Sequence, residues 1–302
     1  MKKTERRDGA IAAISSYFLW GFLPLYFTFL TPTGPWEIVS WRILWSLVFC
    51  VILLAATRQL GSIFRLLRNK RVALFTLAAG LLVYINWQFY IIASITGRIL
   101  EGSLGYFINP LITILFGVLI LGERLRPLQW AAMTFGAVAV TVMIVGYGQV
   151  PWLSFVLAGS FGLYGLVKNR IGGTVTATES LTLETVWLTP IAVILLISTS
   201  LSTGLIFGHE NLGMSILLAL LGPVTAIPLL LFGYASGRVP LSWMGFMQFI
   251  APSMQFMVGV FVGHEPLPPI RLLGFVIVWL GLSLLAIDIW RNGRKVKSQK
   301  TK

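Results

Sequence analysis

Long apolar runs separated by short polar segments dominate the pattern of residues along the chain. A helix needs about 20 apolar residues to span the hydrocarbon core of a bilayer. Ten runs of this kind occupy residues 10–29, 38–57, 72–93, 103–121, 128–147, 151–167, 181–200, 213–234, 241–263 and 270–289. The pattern therefore predicts an all-α integral membrane protein with ten transmembrane helices.

A motif of proline, glycine and glutamate occurs twice, 142 positions apart. It comprises Pro110, Gly117 and Glu123 in the first copy and Pro252, Gly259 and Glu265 in the second. Self-similarity at a fixed period indicates repeated structural units. We therefore expect one repeat in residues 1–147 and a second in residues 148–302, which ends in a basic cytoplasmic tail.

Five spans in each repeat have a topological consequence. An odd number of spans makes the second repeat enter the membrane in the opposite direction, so the two repeats are inverted. Inverted repeats are a recurrent construction of secondary transporters, whose substrate site lies near the midplane between the repeats. The sequence thus favours alternating access, in which two similar halves expose one site to either side of the membrane.

Composition and charge agree with a membrane protein. The chain is 57% hydrophobic and 11% charged, whereas soluble domains have about 25% charged residues. The net charge of +13 does not indicate nucleic acid. With the N-terminus in the cytoplasm, 20 of the 23 Lys and Arg residues fall in cytoplasmic segments, as the positive-inside rule requires. We expect a multi-pass membrane protein with both termini cytoplasmic and with membrane lipids as partners.

Polar side chains recur at helical spacing on matching helices of the two repeats. Tyr106, Asn109 and Thr113 share one face of the fourth span. Gln248 and Gln255 share a face of the ninth span, and the offset of 142 places them on Tyr106 and Thr113. These faces predict a central polar cavity that binds a small-molecule substrate. Interhelical hydrogen bonds, worth about 0.6 kcal/mol each in membranes, are the alternative.

Further candidate binding residues lie at a similar depth in the outer half of the membrane. Asn86, Trp87 and Tyr90 belong to the third span, and Arg42 lies a few residues into the second. Together with Tyr106 and Asn109 they are suited to an amphipathic or anionic small molecule, with rings for stacking and Arg42 as counter-charge. Arg42 can instead extend to the outer headgroups, and the sequence leaves both interpretations open.

Three glutamates are candidates for coupling or gating. Glu184 is the one acid well inside a span; membrane carboxylates commonly carry coupled protons, although it is also interpretable as an interfacial residue at a helix end. Glu123 and Glu265 lie where their helices leave the membrane. They are either local anchors or, on opposite faces of the membrane, a symmetric pair of gate residues.

Sequence motifs give no support to an enzyme. The chain has no HExxH, GxSxG or GxxxxGK[ST] motif, so zinc hydrolysis, serine hydrolysis and ATP binding are not expected. Its single cysteine and two histidines do not make a metal site, and no cofactor is expected. A secondary-active exporter of small metabolites is the favoured function, with a lipid flippase or scramblase of the same architecture as the alternative. The oligomeric state is not predicted.

The sequence resembles the RarD proteins of the EamA family, within the drug/metabolite transporter superfamily. The resemblance rests on residues 41–46 (WRILWS), 86–87 (NW), 101–111 (EGSLGYFINPL) and 122–124 (GER). It implies a ten-helix inner-membrane permease with two five-helix repeats, and EamA relatives export amino acids and other metabolites. The second copy departs from the motif at Ala251 and His264, so substrate contacts are expected to be asymmetric.

Overall fold

The computed structural model describes residues 3–95, 99–147 and 152–261, together with parts of 269–287, and within these ranges it is helical without β-strand. The first six helices are α1 (Lys3–Thr28), α2 (Pro35–Ala56), α3 (Leu60–Arg68), α4 (Lys70–Ile95), α5 (Ile99–Leu119) and α6 (Pro127–Tyr147). They are followed by α7 (Trp152–Ile171), α8 (Ala177–Ser202), α9 (Leu212–Ser236), α10 (Leu241–Gln248) and α11 (Ile250–Phe261).

Several of these helices are suited to a bilayer. In the described part of the chain, six helices, namely α1, α2, α4, α6, α8 and α9, are long and apolar enough to cross a membrane. Shorter apolar helices cover Gly105–Leu119 and Leu272–Gly281. The prediction of an all-α protein with several membrane spans is confirmed, whereas the count of ten inverted spans stays a prediction.

Local sequence signals explain where the helices begin. Pro35 starts α2, a position where its missing N–H costs no hydrogen bond. Thr176 and Glu179 form a capping box at the start of α8. The Asn211 side chain accepts a hydrogen bond from the Met214 N–H at 2.7 Å and so caps α9. Each signal fixes the residue at which a helix begins.

The ninth predicted span, 241–263, is divided into two helices within the described residues. The helix α10 ends at Gln248 and α11 begins at Ile250. Pro252 has no N–H to donate to the Gln248 carbonyl four residues earlier, which removes a helical hydrogen bond at this point. In α5, by contrast, Pro110 lies inside an uninterrupted helix.

Helices from the first part of the chain pack mainly on helices from the second part. The helix α2 contacts α8 and α9, while α4 contacts α7 and α8. Similarly, α1 packs against α9 and α11, and α5 packs against α7 and α10. Residues from both parts therefore surround the centre of the bundle, where the largest buried hydrophobic cluster lies.

Two glycines lie at close helix contacts and are related by the repeat offset. A Cβ added at Gly222 of α9 would lie 2.5 Å from the carbonyl oxygen of Trp45 in α2. A Cβ at Gly80 of α4 would lie 3.0 Å from the carbonyl oxygen of Glu184 in α8. Only hydrogen fits at Gly222, so the α2 and α9 backbones approach closely. The offset of 142 relates Gly80 to Gly222.

A cavity lies between the helices near one end of the bundle. This end, called the cavity end, is where α1, α4, α8 and α11 finish and where α2, α5, α7 and α9 begin. The opposite end contains the beginnings of α1, α4, α8 and α10 together with α3. Contacts agree with this arrangement, because Glu37 at the start of α2 bonds residue 206, which follows α8.

Candidate functional site

A cavity of about 680 Å³, counted with the space that is open to solvent, lies between the helices. All eight residues predicted from the sequence as substrate contacts line this cavity, namely Arg42, Asn86, Trp87, Tyr90, Tyr106, Asn109, Gln248 and Gln255. Helices α2, α4, α5, α10 and α11 supply them. The structure thus brings the predicted residues together, and their role in binding stays a prediction.

The cavity also has lining residues that the sequence analysis missed. They are Tyr17, Trp20, Leu23 and Phe27 from α1, Phe161 from α7, and Ala251 and Pro252 from α11. Aromatic and aliphatic residues of this kind are common on any membrane helix, so their type carries no signal. One sequence pattern does point to α1 and α7. Trp20 matches Tyr164 at an offset of 144, which indicates that α1 and α7 are corresponding helices.

Some polar groups of the cavity are occupied by interhelical hydrogen bonds. Asn86 Nδ2 donates to the Leu157 carbonyl at 2.9 Å and thereby joins α4 to α7. Gln255 Nε2 donates to the Trp20 carbonyl at 3.3 Å. The Thr113 hydroxyl lies 3.2 Å from Gln248 Oε1 and 3.4 Å from Asn109 Oδ1. Both interpretations of the polar faces therefore apply, since these side chains line a cavity and also connect helices.

Other polar groups on the wall remain available to a ligand. Gln248 is 3% exposed and Tyr17 is 2% exposed. The Tyr17 hydroxyl lies beside the Gln248 amide, yet neither the hydroxyl nor Gln248 Nε2 has a partner in hydrogen-bond geometry among the described residues. Because an unsatisfied buried polar group is costly, a ligand or water that bonded these two groups would be stabilised there.

Arg42 is held inside the cavity wall. Its side chain is 3% exposed, and its Nε donates to the Thr225 hydroxyl at 3.2 Å. The guanidinium carbon lies 4.5 Å from the ring centroid of Trp87 and 5.3 Å from that of Phe27. The alternative in which Arg42 extends to the headgroups is wrong, because the side chain is fixed by α9 and by aromatic rings within the bundle.

An aromatic cluster closes the cavity toward the opposite end. The aromatic floor consists of Tyr17, Trp20, Phe161, Tyr164 and Phe232, whose neighbouring ring centroids lie 5.4–6.2 Å apart. Three of these residues line the cavity. On the far side, the Tyr164 hydroxyl donates to Glu184 Oε2 at 3.2 Å. The floor therefore separates the cavity from Glu184.

Glu184 belongs to a buried ion pair. Its Oε1 lies 2.7 Å from Lys168 Nζ, and the exposed fractions of the two side chains are 0% and 2%. The Ser180 hydroxyl also lies 2.7 Å from both Lys168 Nζ and Glu184 Oε1. Glu184 is therefore buried against α7, and its depth in the membrane stays a prediction.

Glu123 connects the end of α5 to the start of α10. Its two carboxylate oxygens accept the N–H groups of Leu241 at 2.6 Å and Ser242 at 2.8 Å. Gly122 has a φ of +68°, which turns the chain back after α5. A Cβ at Gly117 would lie 2.8 Å from Glu123 Oε2, so the glycine of the repeated motif makes room for the carboxylate.

The sequence analysis missed an equivalent contact at the cavity end. Glu37 in the first turn of α2 accepts the N–H groups of Ile206 and Phe207 at distances of 2.9–3.1 Å, and its Oε1 also accepts from Trp41 Nε1. A carboxylate therefore links the two parts of the chain at each end of the bundle. The other predicted gate residue, Glu265, lies outside the described residues.

A bundle of apolar helices long enough to span a membrane, packed around a polar and aromatic cavity, defines the class as a multi-pass membrane protein with an internal cavity. Residues 7–145 match the EamA-like transporter family. The protein named RarD of Streptomyces exfoliatus is 42% identical over 297 residues, which cover 98% of this chain and 94% of the relative. The uncharacterized transporter YojE of Bacillus subtilis is 38% identical over 301 residues, covering 98% and 99%.

A solved crystal structure of a protein superimposes with a TM-score of 0.72 at 17% identity, covering 91% of this chain and 96% of that one. At that identity the likeness concerns the fold alone. The sequence relatives decide the family, because their identities of 42% and 38% extend over nearly the whole chain. The chain belongs to the EamA family of drug/metabolite transporters and, within it, to the RarD proteins.

Proposed function

We propose that the protein is a secondary-active transporter that exports small metabolites, amino acids or drugs by alternating access. The observation that carries the proposal is the cavity, whose wall combines residues of both repeats with buried polar groups inside a membrane protein of the EamA family. Such a site at the interface of two halves suits a substrate that crosses between them. Neither the cavity nor the relatives favour the alternative of a lipid flippase.

The packing of the helices supports two inverted five-helix repeats, with ten spans in all. Under the offset of 142, the contact of α2 with α9 corresponds to that of α8 with α4, and both contacts occur. The contact of α1 with α9 likewise corresponds to that of α7 with α4. Gly222 and Gly80 lie at the two related close approaches. Exchange of these matched contacts between the halves is the motion that alternating access requires.

With the N-terminus in the cytoplasm, the cavity end faces the outside of the cell. The inner side is then closed by the aromatic floor, the Lys168–Glu184 ion pair and the bonds of Glu123 to α10. A close approach of α7 and α9 adds to the closure, because a Cβ at Gly172 would lie 2.7 Å from the Gly237 Cα. We assign this conformation to the outward-facing state, with Glu123 as an inner gate residue.

Replacing Tyr106, Asn109 or Gln248 by alanine, each in a separate variant, should lower transport about tenfold or more. Each change removes a polar group of the cavity wall, and a lost hydrogen bond to a bound ligand costs about 1–3 kcal/mol. The assay is uptake of labelled amino acids, small metabolites and phenicol-type drugs into liposomes that contain the purified variant. Thr141→Ala is the matched control, because Thr141 is exposed on α6 and bonds only its own helix. Normal transport by all three variants would place the substrate elsewhere.

We also propose that Glu184 carries a coupled proton. A proton on its carboxylate cancels the attraction to Lys168 across 2.7 Å and so loosens the inner closure. Transport by the Glu184→Gln variant should then be independent of pH, whereas transport by the wild-type protein should change with pH. The comparison uses liposomes with equal protein content. A variant that keeps the wild-type pH profile would remove Glu184 from the coupling mechanism.

A further inference from the structure

The cavity contains a fixed cation. The Nε of Arg42 donates to the Thr225 hydroxyl, and its guanidinium carbon lies 4.5 Å from the ring centroid of Trp87 and 5.3 Å from that of Phe27. A flexible surface arginine would lose conformational freedom on binding a ligand, but this side chain is already ordered. The positive charge is therefore presented to the cavity in a single orientation.

This cation has no anionic partner within the described part of the chain. The ion pairs found there are Lys168 with Glu184 and Arg7 with Asp8, and neither includes Arg42. The bond to Thr225 uses only Nε, and the two terminal nitrogens of the guanidinium group make no hydrogen bond among the described residues. A buried charge that lacks a partner is unfavourable, and a planar guanidinium group is suited to a carboxylate.

Among the described residues, the rest of the wall offers no charged group that could bind a ligand cation. Apart from Arg42, every lining residue that the structure describes is neutral. Glu184 lies beyond the aromatic floor and is paired with Lys168, while Glu37 is bonded to the backbone after α8. An ammonium group in the cavity would meet aromatic rings and amides but also the positive charge of Arg42, at a site where solvent screening is weak.

We propose that the cavity selects soluble organic monoanions with a flat apolar body, and that it discriminates against amines and zwitterions of the same size. The carboxylate of the ligand binds the terminal nitrogens of Arg42. Its apolar body lies among Trp87, Tyr90 and Tyr106, whose last two rings are 5.2 Å apart. This inference rests on the proposed function only in taking the cavity as the substrate site.

Four probes that share a phenyl ring test the charge preference: phenylacetate, phenylacetamide, 2-phenylethylamine and phenylalanine. Their affinities are measured by isothermal titration on the purified full-length protein at neutral pH. Phenylacetate should bind at least about tenfold more tightly than the neutral amide, which is the lower end for a charge-assisted hydrogen bond. The amine and the zwitterion should bind more weakly than the amide. Equal affinities, or no binding of phenylacetate in the millimolar range, would overturn the inference.

Variants of Arg42 test whether this residue causes the preference for the anion. Arg42→Gln should bind phenylacetate and phenylacetamide equally, whereas Arg42→Lys should keep part of the preference because the charge remains. Arg65→Gln is the control, since Arg65 lies exposed on α3 and should leave all four affinities unchanged. If the Arg42 variants do not fold, the order of the four probes on the wild-type protein still decides.

Three outcomes distinguish this inference from a lipid-headgroup site and from the proposed function. Loss of phenylacetate binding in nanodiscs of phosphatidylglycerol, but not in those of phosphatidylcholine, would make an anionic lipid headgroup the occupant and reject a soluble anion. Transport of a neutral drug without preference for the anion would keep the proposed function and reject the selectivity. Binding of phenylacetate in a protein that transports nothing would support the anion site and reject the transporter.

Discussion

Replacing Lys168 by methionine should lower the free energy of unfolding by about 3–5 kcal/mol, because removal of one partner leaves an uncompensated buried charge. Methionine matches much of the lysine stem, so the loss reports the charge rather than the packing. The Glu184 carboxylate would keep only the hydroxyls of Ser180 and Tyr164 as partners. The measurement is the midpoint of thermal unfolding in detergent.

Two control variants distinguish the effect of breaking the ion pair from a general effect of replacing a lysine by methionine. The double variant Lys168→Met with Glu184→Gln removes both charges and should be more stable than Lys168→Met alone. Lys70→Met removes an exposed lysine at the start of α4 and should leave the midpoint unchanged. An unfolding midpoint of Lys168→Met equal to that of the wild type would show that the buried pair does not stabilise the fold.

The Gly222→Ala variant should be destabilised by about 2–3 kcal/mol, the upper part of the range for overpacking. The added Cβ would lie 2.5 Å from the carbonyl oxygen of Trp45 and 2.9 Å from its Cβ. The obstruction on α2 is backbone rather than the end of a flexible side chain, so the two helices must move apart. The higher helix propensity of alanine recovers at most about 1 kcal/mol.

The matched control is Gly159→Ala on α7. A Cβ at Gly159 would meet no atom within 4 Å, so this change tests helix propensity without a clash. Its thermal midpoint should equal or exceed that of the wild type, while that of Gly222→Ala should fall. Equal midpoints for the two variants would mean that α2 and α9 are not in close contact at Gly222.

Four of the residues that line the cavity could be predicted because two independent patterns converge on them. Helical spacing places Tyr106 and Asn109 on one face of α5, and the 142-residue offset transfers that face to Gln248 and Gln255. Both patterns depend only on helix geometry and on the repeat. Contacts between helices could not be predicted in this way, because nothing in the spacing of Arg42 and Thr225 along the sequence indicates that they meet.

The ion pair below the aromatic floor could not be predicted from the sequence. Lys168 occurs in a short segment with Arg170, which is the usual pattern of a cytoplasmic loop, whereas the structure places Lys168 inside α7. Its burial depends on Glu184 of the neighbouring helix. The rule that a membrane carboxylate needs a partner was available, but it does not say which cation supplies the charge.

The division of the ninth span also depends on the surroundings. Pro110 and Pro252 occupy equivalent positions in the repeated motif, but α5 continues through Pro110 and the helix before Pro252 ends at Gln248. The missing proline N–H is common to both sites. Only the packing around each helix decides whether the backbone bends or breaks, and the sequence does not encode that packing locally.

The carboxylates of Glu37 and Glu123 are bound by main-chain N–H groups of the later part of the chain, at residues 206–207 and 241–242. Almost every amino acid supplies the same N–H, so substitutions at those receiving positions leave the contact intact. The later part of the chain can thus change in sequence at these positions while its hydrogen bonds to the earlier part are kept.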